Sequence, residues 1–247
     1  MSLLPKEPSP PSNRMSDYTW HFYGIPGVGK TTLANQFPNP IFIATESGTE
    51  AMLASAVPAR SWAELKAVIA ELAQGGHAYK TVVLDTADIA YNLCETYVCE
   101  SNGWNDVADG EWGRGWRTLN REWTNMITQL RMLPMCTVLL GHEKSEMIKE
   151  KLGSKMVETG MNRVTTALPN TARQTLHSAV DFILRCEFTP ENERILRTQP
   201  VENKRERVEA KARGSKGATL PETIEMSFTA LADAFKKTLG TNTKEKK

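Results

Sequence analysis

Along this chain, short and almost wholly apolar runs alternate with longer stretches in which apolar residues return every three or four positions. "TWHFYG" (19–24), "IFIAT" (41–45), "TVVLD" (81–85), "CTVLLG" (136–141) and "DFILRCEF" (181–188) are of the first kind. Their length and continuity predict strands buried on both faces, as in a parallel sheet between helical layers. The first intervening helix is predicted from Lys30 to "FPNP", because Pro38 and Pro40 resist its continuation. "SWAELKAVIAELAQGG" (61–76) opens with a capping box, Ser61 with Glu64, and stops at Gly75 and Gly76. Another helix starts near Ile89, "RTLNREWTNMITQLRML" (117–133) is amphipathic as far as Pro134, and a further helix covers about 169–179. Residues 102–116, rich in Gly and Trp, read as a loop, and a long polar segment follows residue 142. No internal repeat is visible. The alternation predicts an α/β fold with a mostly parallel central sheet flanked by helices.

Composition changes this picture at the ends. "MSLLPKEPSPPSNRMS" (1–16) is rich in Pro and Ser and predicts a disordered leader. A single domain is expected over 17–237, with a flexible polar tail over 238–247. Lys and Arg number 30 against 29 Asp and Glu, so any anion binding must be local rather than a property of the whole surface. Cys94, Cys99, Cys136 and Cys186 form no C-x-x-C pair, which fits reduced thiols rather than structural zinc. No apolar run approaches the roughly 18 residues that span a bilayer. The N-terminus carries no signal-peptide apolar region, so a soluble, cytoplasmic protein is expected.

The candidate chemistry begins at "GIPGVGKTT" (24–32). Glycines there would weaken any packed element unless the backbone has to wrap something. Gly24, Ile25, Pro26, Gly27, Val28, Gly29, Lys30, Thr31 and Thr32 satisfy the P-loop pattern between a predicted strand and a predicted helix. In that pattern successive backbone N–H groups face phosphate oxygens, a lysine reaches the β/γ-phosphates, and the hydroxyl after it holds Mg²⁺. Lys30 and Thr31 stand at those positions. The metal needs a second acidic contact, and Asp85 ends an apolar strand; the other reading of Asp85 is an N-cap for the next helix. Many ring ATPases carry a glutamate directly after this aspartate, but here the residue is Thr86. A water-activating base then comes from elsewhere, or hydrolysis is slow: Glu46, at the end of "IFIATE", is the best candidate, its other reading being a solvated loop acid beside "SGTE", and Asp88 is the weaker alternative. His142 closes "CTVLLGH" at another strand end, where it can sense a γ-phosphate or be merely structural.

The ordered set "GIPGVGKTT", "IFIATESG", "TVVLDTAD", "WGRGW", "TVLLGHEKSE", "AVDFILRCEF", "RILRTQPVENK" and "EAKARGSKGATLPETIE" resembles the RecA-like core ATPases. More specifically it resembles the small phage-encoded nucleotide-binding or single-strand annealing proteins, over about Trp20 to Phe235. The resemblance implies ATP and Mg²⁺ as ligands, Glu46 as the water-activating group, and His142 as the γ-phosphate sensor where RecA has glutamine. It implies a homo-oligomer in which Lys211 and Arg213 reach a neighbour's nucleotide. The other reading of those two residues is a solvated charged segment.

In that family two loops contact DNA, and they match about 101–117 and 143–172 here. The first holds Trp104, Trp112, Arg114, Trp116 and Arg117, a mix that can stack bases and neutralise phosphates. The same tryptophans can equally pack on the core or on a neighbouring subunit. The second holds Lys144, Lys149, Lys151, Lys155, Arg163 and Arg173, offset by Glu143, Glu146, Glu150 and Glu158. The implied function is a slow, DNA-stimulated ATPase acting on single-stranded DNA in phage recombination, with a single-strand-binding protein as a further partner. The alternative is a nucleotide-gated loader or remodeller that grips a replication protein. A small-molecule kinase has less support, since no Arg-rich lid is evident. "NKRE" (203–206) ends in Glu206 rather than the aspartate of a guanine-reading motif. Ring, filament and monomer stay open.

Overall fold

A computed structural model describes residues 12–49, 52–152, 155–212 and 219–239. In chain order the first half comprises β1 (Thr19–Gly24), α1 (Lys30–Ala34), β2 (Pro40–Ala44), β3 (Ser55–Pro58), α2 (Trp62–Gln74), β4 (Thr81–Asp85), α3 (Ala87–Asn102) and α4 (Arg114–Met132). The second half begins with β5 (Cys136–Leu152), β6 (Lys155–Thr166), α5 (Asn170–Ala179), β7 (Phe182–Phe188) and β8 (Arg194–Arg197). It closes with β9 (Val201–Glu202), β10 (Glu206–Val208), β11 (Lys211–Ala212), β12 (Thr223–Glu225) and α6 (Phe228–Leu239).

The sheet runs β12-β8-β7-β1-β5-β4-β2-β3. From β7 to β3 every pairing is parallel, while β8 and β12 add an antiparallel edge. This is an α/β fold with a mixed, largely parallel sheet flanked by helices. The apolar runs divide their side chains between two cores because successive strand residues point to opposite faces. Ile41, Ile43, Val82, Leu84, Leu139 and Ile183 pack beneath α2, α3, α4 and α5. Phe42, Val83, Val138, Leu140, Phe182 and Leu184 pack on the other face, against α1 and α6.

Local chemistry explains the helix ends. Ser61 Oγ accepts the Glu64 N–H at 3.2 Å, and the Glu64 carboxylate accepts the N–H of Arg60 at 2.7 Å, one residue before the expected box partner. Gly75, at φ 71°, then closes α2 with a conformation that other residues rarely adopt.

Three expectations need correction. The polar segment after residue 142 is not a loop: β5 continues through it and pairs antiparallel with β6 in a ribbon, joined near its root by β10 alongside Asn162–Val164 of β6. The stretch 102–116 is two short 3-10 turns, and α4 begins at Arg114 rather than 117. The expected leader lies outside the described residues as far as residue 11. From Ser12 it is held against the domain, with Tyr18 Oη donating to the Ser12 carbonyl and Trp20 Nε1 to the Met15 carbonyl. The tail from residue 240 also lies outside the described residues.

Candidate active site

The parallel strands end on one edge, and the predicted groups converge there. A Cβ on Gly24 would lie 2.4 Å from the Cys186 carbonyl oxygen, so only glycine lets β1 pass β7 at this point. Gly27 and Gly29, at φ 77° and 106°, then bend the chain into α1 through left-handed conformations that a side chain would strain. Lys30 folds back across the bend, its Nζ donating to the carbonyls of Gly24 at 2.9 Å and Ile25 at 3.1 Å. The residue is only 7% exposed. Burial pushes its ammonium below the ordinary lysine range, against the pull of Cys186, Asp85 and Glu46. A buried cation satisfied only by carbonyls of a glycine-rich bend is a site prepared for an anion.

β4 delivers Asp85 to the same edge. Thr31 Oγ1 donates to Asp85 Oδ2 at 2.9 Å. Thr86, not Asp85, occupies the N-cap of α3, so the Asp85 carboxylate faces α1 instead of the α3 amides. Burial raises its pKa, with the Thr31 hydrogen bond and the Lys30 charge working the other way. Thr45 fixes the end of β2 to this strand end, its N–H donating to the Asp85 carbonyl at 2.8 Å and its hydroxyl oxygen accepting the Thr86 N–H at 2.8 Å.

Glu46, His142 and Asp88 come together in a row. Asp88 accepts twice from His142, at Oδ1 from the backbone N–H (3.0 Å) and at Oδ2 from Nδ1 (2.7 Å). That fixes the ring and leaves Nε2 toward Glu46, 3.6 Å from Oε1, too far for a direct hydrogen bond. The Asp88 carboxylate is therefore occupied in orienting His142, while Glu46 is not. Burial raises the Glu46 pKa, and the nearby His142 opposes that shift.

Other sequence candidates are placed differently. Trp112 is 91% exposed and Trp116 47% exposed, next to exposed Arg114 and Arg117. Trp104 instead packs against the core. Most cations of the second candidate region are paired: Lys144 with Glu146, Lys149 with Glu158, and Arg163 with Glu146 and Glu209. Arg173 is buried and donates to Glu146 at 2.9 Å. Lys211, expected to reach a neighbouring nucleotide, donates to the carbonyls of His177 (2.8 Å) and Val180 (2.5 Å) at the end of α5. Arg213 lies outside the described residues. Two neighbours of the bend, Arg194 and Met226, were not singled out in the sequence. "TPENE" signals the hairpin turn that precedes Arg194, but nothing local links either residue to Gly29.

A triphosphate with Mg²⁺ suits these residues. Mg²⁺ keeps most of its water and takes one or two protein oxygens beside phosphate. Thr31 and Asp85 offer two such oxygens, and no cluster of three His, Cys, Asp or Glu able to hold a metal occurs among the described residues. Among those residues no helix is long and apolar enough to cross a membrane. A family model described as an AAA domain matches residues 16–213. No curated protein matches the chain.

Proposed function

The chain belongs to the AAA-domain family of P-loop NTPases and is a nucleotide-binding ATPase domain; from that premise we propose a Mg²⁺-dependent, RecA-like ATPase that acts on single-stranded DNA in phage recombination. The observation that carries the DNA half is Trp112, an almost wholly exposed tryptophan flanked by the exposed Trp116, Arg114 and Arg117. Aromatic faces that stack bases beside cations that meet phosphates are the sequence-tolerant way to hold a single strand. The exposure argues against core packing for Trp112.

In the proposed reaction Lys30 exchanges its carbonyl partners for the β/γ-phosphates, and Thr31 and Asp85 hold the metal. Bound there, Mg²⁺ neutralises developing charge on the phosphates. Glu46 takes a proton from the attacking water as its oxygen bonds to the γ-phosphorus. The bond from that phosphorus to the β–γ bridging oxygen breaks, and ADP carries away the electron pair. Asp88 acts as a positioning residue for His142, whose Nε2 reports on the γ-phosphate beside Glu46. Nucleotide bound between copies of the chain would couple ATP state to a homo-oligomer.

The test is phosphate release from ATP and Mg²⁺ with and without single-stranded DNA, alongside DNA retention across a salt series. The expected result is DNA-stimulated release and retention that weakens with salt. The Glu46→Gln variant should bind ATP and fail to hydrolyse it, and the paired Trp112→Ala, Trp116→Ala variant should lose DNA retention. Absence of both hydrolysis and salt-sensitive retention overturns the reading.

One observation favours the second reading, a loader or remodeller of a protein partner, with a single-strand-binding protein or another replication protein as the target. The ribbon exposes Met147, Met156 and Val157, and its neighbouring charges are mostly paired with each other. Retention of such a protein but not of DNA would select it.

A further inference from the structure

Arg194, the first residue of β8, and Met226, just beyond β12, are tied together by the Met226 N–H donating to the Arg194 carbonyl at 3.1 Å. Both side chains lie against the last glycine of the bend. A Cβ on Gly29 would stand 3.7 Å from Arg194 Cδ and Nε and 3.8 Å from Met226 Cε. Two residues after Met226, the start of α6 is anchored on the turn that follows α1, since the Phe228 N–H donates to Gln36 Oε1 at 2.9 Å and the Phe228 ring lies 4.7 Å from that of Phe37.

The other arginines of β7 and β8 are both bound by carboxylates. Arg185 makes a two-pronged contact with Glu143 and a third bond to Glu187, and Arg197 bonds Glu187 and Glu222. The Arg194 side chain forms no hydrogen bond or ion pair with any described residue. Its guanidinium stands 5.6 Å over the Phe188 ring. A cavity of about 750 Å³ opens beside it, walled by Phe188, Ile195 and Met226 and bordered by the carboxylates of Glu193 and Glu225.

A free guanidinium next to an anion cradle, above an apolar wall, has the chemistry of a nucleotide contact. We infer that this cavity receives the nucleoside half of the bound nucleotide and that Arg194 contacts its phosphate from the same chain that supplies Lys30. The apolar faces of Phe188 and Met226 would meet the base, and the two carboxylates suit ribose hydroxyls rather than phosphate. The inference rests on the nucleotide site proposed above and adds to it the element that reads the rest of the ligand. The antiparallel edge of the sheet is thereby part of the site.

Calorimetric titration of the full chain with ATP and with inorganic tripolyphosphate, both with Mg²⁺, tests it. Arg194→Ala should weaken both ligands by about tenfold, the size of one lost charge-assisted contact. Arg194→Lys should recover part of that loss. Met226→Ala should weaken ATP and leave tripolyphosphate unchanged. The inference is overturned if Arg194→Ala binds ATP as wild type does. It is overturned equally if Arg194→Ala spares tripolyphosphate, or if Met226→Ala weakens both ligands alike. Lys30→Ala separates the two levels. If it retains ATP, the P-loop reading itself fails; if it loses ATP while Arg194→Ala does not, only the present inference falls. Thermal melts should match wild type for Arg194→Ala, because its side chain bonds to no described residue.

Discussion

From Cys136 to Gly141, β5 is buried and pairs in parallel with β1 on one side and β4 on the other; from Glu143 onward the same strand leaves that sheet and pairs antiparallel with β6 alone. The inner half has no charged residue. The outer half, "EKSEMIKEKL", has six (Glu143, Lys144, Glu146, Lys149, Glu150 and Lys151). Burial stabilises the first, at roughly 1.5–3 kcal/mol for each large apolar side chain taken from water. The second has shielded pairs only at its root, Glu143 with Arg185 and Glu146 with Arg173; farther out it has exposed ones such as Lys149–Glu158 at 3.5 Å, worth about 0–1 kcal/mol. Stability is thus concentrated in one half, which leaves the other free to be shaped by what it touches. The changeover is pinned at Gly141, where a Cβ would come within 3.0 Å of both His21 Cε1 and Thr166 Cγ2.

The sharpest way to break this contrast is Leu140→Ala, which should cost about 2–5 kcal/mol in urea melts. A loss below about 1 kcal/mol would mean that the inner half is not core.

Next comes pH. His21, at the junction, donates from Nδ1 to the Leu139 carbonyl, and its Nε2 lies 2.7 Å from Thr166 Oγ1. Burial, then the neighbouring His177, pushes its pKa down to about 3. Burial, then Arg173 and Lys211, pushes His177 down to about 4, with Glu209 3.5 Å from its ring. Both rings are neutral in the fold, whereas the unfolded chain takes up their protons below about pH 6.5. Stability should therefore fall as pH drops from 6.5 toward 4, by up to about 1.4 kcal/mol per pH unit for each histidine. The measurement is urea midpoints across that range, and a flat profile would contradict a buried, neutral junction.

Gly141→Val should cost about 1–3 kcal/mol through overpacking against His21 and Thr166. The smallest effect is expected outside the sheet. The double variant Met156→Ala, Val157→Ala should shift stability by less than about 0.5 kcal/mol, as at other exposed positions. A large shift in that variant would show that the ribbon is held by apolar packing after all.

The same contrast explains what was legible in the sequence. Wherever a strand is covered on both faces, an unbroken apolar run announces it, as in "TVVLD" and "CTVLLG". The P-loop was legible because Gly24, Gly27 and Gly29 are demanded by a close approach and by backbone angles, which leave a fixed spacing. The ribbon was not. Beyond its root, where Val164, Thr165 and Thr166 are buried, its residues are lysine, glutamate and methionine without an apolar side, and they read as an exposed loop. β3 and β12 are short edge strands, and β8 is a four-residue strand between β12 and β7; their patterns are too short to read. Asp85 showed at a strand end, but its Thr31 partner is known only once β4 lies near α1. The double hydrogen bond from His142 to Asp88, and the placement of Arg194 and Met226 against Gly29, are products of strand order. No local pattern encodes them.

β5 also runs on past its clamped inner half as a lever, regular in its pairing as far as Met147, where the register with β6 shifts. About five residues separate the clamp from that shift, roughly 17 Å at 3.3 Å per residue, so a tilt of about 5° at the root carries Met147 about 1.4 Å. His142 sits at that root, bonded to Asp88 and facing Glu46. Sub-ångström adjustments around the imidazole are thus geometrically magnified at Met147.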